Sequence, residues 1–127
     1  MSKSIMCVDD SESMRLIVKK LMEKEGFDII ETENGKDALD KLKSKDNSAR
    51  IPVCLFLVDV NMPVMNGLEF VKELKKDFRY KNIPVVMLTT ESSSQKKLTG
   101  KELGIAGWVV KPFDPESLTK VVHALAV

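Results

Sequence analysis

The stretch Val53–Gly67, VCLFLVDVNMPVMNG, decides how the rest of the chain is read. Six apolar residues, Val53 to Val58, form the kind of unbroken run required by a strand covered on both faces, which is the habit of parallel sheets. The next residue is Asp59. A carboxylate at the end of a buried strand is costly unless something compensates its charge, so Asp59 implies partners that converge on it from elsewhere. After it, Met62-Pro63 and Asn66-Gly67 read as turns that shape a loop before the next helical pattern.

Outward from this strand the same unit repeats. Short apolar runs at Ile5–Val8, Phe27–Glu31, Val85–Leu88 and Ala106–Val110 join Val53–Val58, each followed by a longer stretch with helical periodicity. The first helix carries a stripe of Met14, Ile17, Val18 and Leu21; the second, about Gly35 to Ser44, one of Ala38, Leu39 and Leu42. The third carries Leu68, Val71, Leu74 and Phe78, and the last Leu118, Val121, Val122 and Leu125. Each stripe is expected to be a core face. SKDNSARIP, residues 44–52, is a loop into the third strand. ESSSQKKLTGKEL, residues 91–103, is the poorest helix: three serines open it, Gly100 interrupts it, and only Leu98 and Leu103 are apolar. Thin apolar contact is expected to leave it weakly packed.

Strand–helix alternation predicts an α/β, doubly wound, five-stranded parallel sheet with helices on both faces. Such sheets gather ligands outside the carboxyl ends of their strands. The residues at those ends are Asp9 and Asp10, Asp59, Thr89 and Lys111. Taken singly, each has a duller explanation: Asp10 or Ser11 as a helix cap, Asp59 as a turn residue, Thr89 as one more β-branched strand residue, Lys111 as a solvated cation. Together at one edge they make a site. Three carboxylates raise each other's proton affinity unless a cation intervenes, and an all-oxygen set with room for water favours Mg²⁺ at about 2.0 to 2.1 Å over Zn²⁺ or a caged Ca²⁺.

Bulk properties narrow the class. The chain has 127 residues, 43% hydrophobic and 31% charged, with a net charge of +1, as expected of one globular domain with no basic field for nucleic acid. No apolar run approaches the roughly 18 residues of a membrane span, and no signal peptide is visible, so a cytoplasmic location is expected. Cys7 and Cys54 lie in strand runs without C-x-x-C spacing and are expected to be buried, reduced thiols. His123, the sole histidine, is expected at the surface.

The segments VDDSESMR (8–15), LVDVNMPVMNGLEF (57–70), VVMLTTES (85–92) and AGWVVKPF (106–113), in this order and spacing, resemble the receiver domain of bacterial two-component response regulators. The likeness covers essentially residues 1–127 and is greatest to the single-domain, CheY-like type. It implies the flavodoxin-like strand order 2-1-3-4-5, with Asp59 as phospho-acceptor and Lys111 and Thr89 as its catalytic companions. It further implies Asp10 and Asp59 as Mg²⁺ ligands, Asp9 acting largely through water, the backbone carbonyl of Asn61 completing the set, and a cis Lys111-Pro112 bond. Thr89 and an aromatic three residues before Lys111 form the implied switch. That aromatic is usually Tyr or Phe; here it is Trp108, whose bulk sets it against the usual two-position movement. Thr90 stands where the family generally has Ala or Gly, and with Asn61 and Glu91 it is expected to tune hydrolysis of the phosphoryl group.

The implied partners are a histidine kinase as phosphodonor and an output protein, such as a flagellar motor switch component, or a phosphatase. These would meet the fourth helical segment, fifth strand and last helix. Neither nucleic acid nor membrane is expected as a partner, and the protein is expected to be a monomer that catalyses only its own phosphorylation and dephosphorylation. With Val127 closing the chain just after the last helix, a free chemotaxis-type regulator or a phosphate sink is expected, with a receiver cut from a longer regulator as the alternative. Two other classes share the sheet. A flavin carrier needs a phosphate cradle after the first strand, where DDSES would repel phosphate. A Mg²⁺-dependent aspartyl-phosphate phosphatase usually has a second acid two residues beyond its nucleophile, where this chain has Asn61.

Overall fold

The structure, a computed structural model, describes residues 3–43, 53–90 and 103–126. In chain order the elements are β1 (Lys3–Val8), α1 (Glu12–Lys24), β2 (Phe27–Thr32), α2 (Gly35–Leu42), β3 (Val53–Asp59), α3 (Gly67–Leu74), β4 (Val85–Thr89), β5 (Gly107–Val110) and α4 (Pro115–Leu125). The strands form one sheet in the order β2-β1-β3-β4-β5, and every pairing is parallel. The expected fold class and order are both present. The winding reverses between β1 and β3, so the carboxyl ends of these two strands border the crevice where such sheets bind ligands.

Side-chain alternation along the strands divides the core in two. Met6, Val8, Phe56, Val58, Val85 and Met87 face α2 and α3, where Ala38, Leu42, Phe70, Val71 and Leu74 cover them. Ile5, Cys7, Leu55, Leu57, Val86 and Leu88 face α1 and α4, meeting Val18, Met22, Leu118 and Val122. Covering both faces is what demands the continuous apolar runs in β3 and β4.

Helix starts follow from their caps. Ser11 Oγ accepts the Met14 N–H at 3.2 Å and begins α1, so the cap is Ser11 and not Asp10. Asn34 caps α2, Asn66 closes a reciprocal capping box with Glu69, and Asp114 caps α4 with Pro115 in its first turn.

Two of the expected core faces need correction. Ile17 is 52% exposed, because α1 presents Val18 and Met22 to the sheet and turns Ile17 away. Phe78 is 81% exposed, because α3 ends at Leu74 and the helical stripe no longer applies to it. Helix α2 likewise ends at Leu42, short of Ser44. Loop 44–52 and nearly all of the expected fourth helix, 91–102, lie outside the described residues. Cys7 is a buried free thiol, pushed up to about 12 chiefly by burial, whereas Cys54 is only partly buried.

Candidate functional site

Asp9 follows β1, Asp59 ends β3, and Lys111 follows β5, so the parallel arrangement of three separate strands brings them to the same edge. Asp9, Asp10 and Asp59 each place a carboxylate oxygen such that all three lie within 4.8 Å of one another. Asp9 and Asp59 are buried and Asp10 is exposed. Lys111 is not solvated. Its Nζ donates to Asp9 Oδ2 at 3.0 Å and lies 3.6 Å from Asp59 Oδ1, with only 12% of the side chain exposed.

These contacts answer how a carboxylate is tolerated at the end of β3. Burial is the largest influence on Asp59 and the neighbouring Asp9 charge the next; together they raise its pKa to about 6, while Lys111 and the Asn61 amide oppose them. The one cation therefore compensates only part of the negative charge. A set of three carboxylates, all oxygen donors, one of them open to solvent and with a single lysine among them, so two positive charges short of neutrality when all are ionised, fits a hard divalent cation.

The loop after β3 is pinned beneath this cluster. The Asn61 N–H donates to Asp59 Oδ1 at 3.3 Å, leaving Oδ2 without a hydrogen-bond partner among the described residues. The Gly67 N–H returns to the Val60 carbonyl at 2.9 Å, and a Cβ on Gly67 would collide with the Asp59 carbonyl oxygen. Only glycine permits that closure. At the tip, the Met65 N–H donates to the Pro63 carbonyl at 2.7 Å around Val64, whose φ of 69° is unusual for a β-branched residue.

Of the remaining expected site residues, Thr89 is fully buried at the end of β4, and its carbonyl accepts the Lys111 N–H at 2.7 Å. Thr90 and Asn61 are exposed at the same edge. Trp108 is partly buried, pairs in register with Met87, and packs on the α2–α3 side of the sheet. The Lys111-Pro112 bond is cis. Glu91 lies outside the described residues. His123, half exposed, meets Glu25 Oε1 at 2.8 Å and the ring of Phe27 at the amino end of β2, at the opposite edge of the sheet.

One residue of the site closes the segment 8–15 but is given no role by the sequence. Arg15, on α1, donates from Nη1 to the Asp9 carbonyl at 2.6 Å. Its only signal is a cation about one helical turn inside α1, on the side nearer β2.

A doubly wound parallel domain with an acidic, lysine-bearing pocket that fits a divalent cation is the class defined by this fold and site. The sequence matches the response regulator receiver domain over residues 5–123, and the chain belongs to that family. It is CheY-like. Chemotaxis protein CheY1 of Helicobacter pylori is 37% identical over 122 residues, covering 95% of this chain and 94% of the relative. The sensor histidine kinase CheAY of Helicobacter pylori is 34% identical over 118 residues, 93% of this chain but 14% of that protein. The structure of Vibrio cholerae chemotaxis protein CheY4 superimposes with a TM-score of 0.89 at 38% identity, covering 98% of this chain and 99% of that one. Among the described residues no helix is long and apolar enough to cross a membrane.

Proposed function

We propose that residues 1–127 act as one receiver domain in which Asp59 accepts a phosphoryl group from a phosphohistidine of a histidine kinase. The observation that carries this reading is the placement of Asp59 at the end of a buried strand, 3.6 Å from an almost buried lysine and clustered with two further carboxylates. Asp59 Oδ2 attacks phosphorus in line, a P–O bond forms as the P–N bond breaks, and the imidazole leaves with a proton. The rigid strand and the Asn61 amide fix the nucleophile. Lys111 supplies positive charge to the phosphoryl oxygens, and the Thr89 hydroxyl donates to one of them. Asp9, Asp10, Asp59 and the Asn61 carbonyl would hold Mg²⁺, which when bound offsets the negative charge that otherwise repels the incoming group.

Hydrolysis uses the same groups with water as nucleophile, so phosphorylation is transient and no external substrate is turned over. Asn61, Thr90 and Glu91 flank the approach and set its rate. The added charge, about −1.5 to −2, is read through Thr89 and Trp108. Trp108 borders a shallow hollow with Val110, Pro112, Phe113, Ser117 and Val121, a surface of β5 and α4 suited to a protein partner. The names of the relatives favour a chemotaxis pathway and a sensor histidine kinase as donor; a motor switch component or a phosphatase as output is what the family resemblance implies. The near-neutral charge supplies no basic field for nucleic acid, and the proposed form is a cytoplasmic monomer.

Incubation with Mg²⁺ and a small phosphodonor, followed by intact mass, tests the reading. The parent should gain one phosphoryl group and Asp59→Asn none, while Lys111→Met should lose most of the rate. A variant Asp59→Asn that is labelled like the parent, or a parent never labelled, overturns it.

A further inference from the structure

Every polar backbone and side-chain atom of Asp9 has a partner. Its N–H donates to the Thr32 carbonyl at 3.1 Å, Oδ1 accepts the Ser11 N–H at 2.9 Å, and Oδ2 accepts Lys111 Nζ at 3.0 Å. The carbonyl takes Arg15 Nη1 at 2.6 Å. That last bond is short and charge-assisted, the strong kind. It also acts beyond Asp9, because the Asp9 carbonyl and the Asp10 N–H belong to one planar peptide unit. A donor that holds the carbonyl fixes the plane from which the Asp10 side chain departs.

Asp10 has few other restraints: it is exposed, and no described group hydrogen-bonds its carboxylate. Arg15 itself is well held. Only 14% of its side chain is exposed, Nε lies 3.4 Å from Glu31 Oε1, and the Glu31 carbonyl is in turn held by Lys41 Nζ at 2.7 Å. The rigid fork of a guanidinium suits this double attachment to the end of β1 and the edge strand β2.

We propose that Arg15 is a positioning residue that sets the divalent-cation affinity of the acidic site by orienting the Asp9–Asp10 peptide. It touches neither the cation nor the phosphoryl group. The inference rests on reading Asp9, Asp10 and Asp59 as a Mg²⁺ site. Its sign separates it from simple electrostatics. A positive charge near a cation site repels the cation, so on charge alone removing Arg15 would tighten binding; loss of orientation weakens it. Groups that orient metal ligands typically change affinity by about 10- to 100-fold when removed.

The test is titration of the full chain with MgCl₂ alone at constant ionic strength, followed by Trp108 emission and by calorimetry. Arg15→Met should weaken Kd by about tenfold or more, with Arg15→Lys intermediate because one ammonium can still reach the Asp9 carbonyl. Glu31→Gln, which loosens the far anchor of the guanidinium, should weaken it less. Lys19→Met removes a nearby charge, 4.0 Å from Glu31, without touching Asp9, and should not weaken binding. Should Arg15→Met not fold, Arg15→Lys and Glu31→Gln decide, with folding verified by circular dichroism. Equal or tighter binding in folded Arg15 variants overturns the proposal and leaves the Mg²⁺ site standing, whereas a parent that binds no Mg²⁺ removes both.

Discussion

Asp59 carries a charge that works against the fold holding it. Burial and Asp9 raise its pKa from 3.8 to about 6 despite Lys111. A carboxyl raised in the folded state contributes its stability fully below the unfolded pKa and loses it as pH rises through the folded value. In metal-free protein the loss should therefore run from about pH 4 to just above 6. A shift of about two units is worth up to ~3 kcal/mol, which solvent access to the pocket reduces to roughly 1–2 kcal/mol. Asp59→Asn should accordingly be more stable than the parent by that amount at pH 7, with the gain vanishing below about pH 4. Urea midpoints across this range check it, and equal midpoints at pH 7 would mean that the carboxylate is not strained by its surroundings. A lone aspartate after an apolar run already signals such tension. What the chain cannot display is that Lys111, about fifty residues beyond Asp59 and about a hundred beyond Asp9, lies closer to Asp9 than to Asp59.

At the scale of elements, strands were more legible than helices. Runs buried on both faces leave few alternatives, and each expected strand lies within a residue or two of its observed bounds. Helical stripes misled where the 3.6-residue period continued past the real end, as at Phe78, or where two apolar neighbours competed for one face, as at Ile17 and Val18. The β3–α3 loop was legible only as turns. Its positive-φ position is filled by Val64, which is 76% exposed and so has little packing to weigh against the strain. The hydrogen bond from Met65 back to Pro63 makes this a γ-turn of the strained hand, a conformation that costs a residue with a side chain about 1–3 kcal/mol and that glycine adopts freely. Val64→Gly should therefore stabilise the protein by about 1 kcal/mol, the relief of strain outweighing the entropy of glycine in the unfolded chain, read from urea denaturation; a loss of stability would show that the turn is not strained at that position. Gly67 offers no such room, since its Cβ position lies against the Asp59 carbonyl.

At the scale of the whole molecule, the site exists because parallel winding sends every strand's carboxyl end to one edge. That rule made Asp9, Asp10, Asp59, Thr89 and Lys111 legible before any contact was known, because it needs only strand ends and no distances. Arg15 escaped it: it sits inside a helix and reaches the site through a backbone carbonyl, which no residue pattern records. Mg²⁺ binding at this edge, as proposed above, would be coupled to folding. A ligand bound only by the folded state stabilises by RT ln(1 + [L]/Kd), about 2.7 kcal/mol at a hundredfold excess over Kd. Mg²⁺ must compete with the proton for Asp59, which the fold raises to about 6. Stabilisation by Mg²⁺ should thus be small at pH 5 and grow as pH passes 6 to 7, opposite in sign to the metal-free trend of the same carboxyl. Thermal melts with and without MgCl₂ at pH 5, 6 and 7.5 measure this directly, with a chelator restoring the metal-free value. In Asp59→Asn the pH dependence of the Mg²⁺ effect should flatten, because the group that titrates in this window is gone. A Mg²⁺ effect equally large at all three pH values would place the competing proton elsewhere than on Asp59.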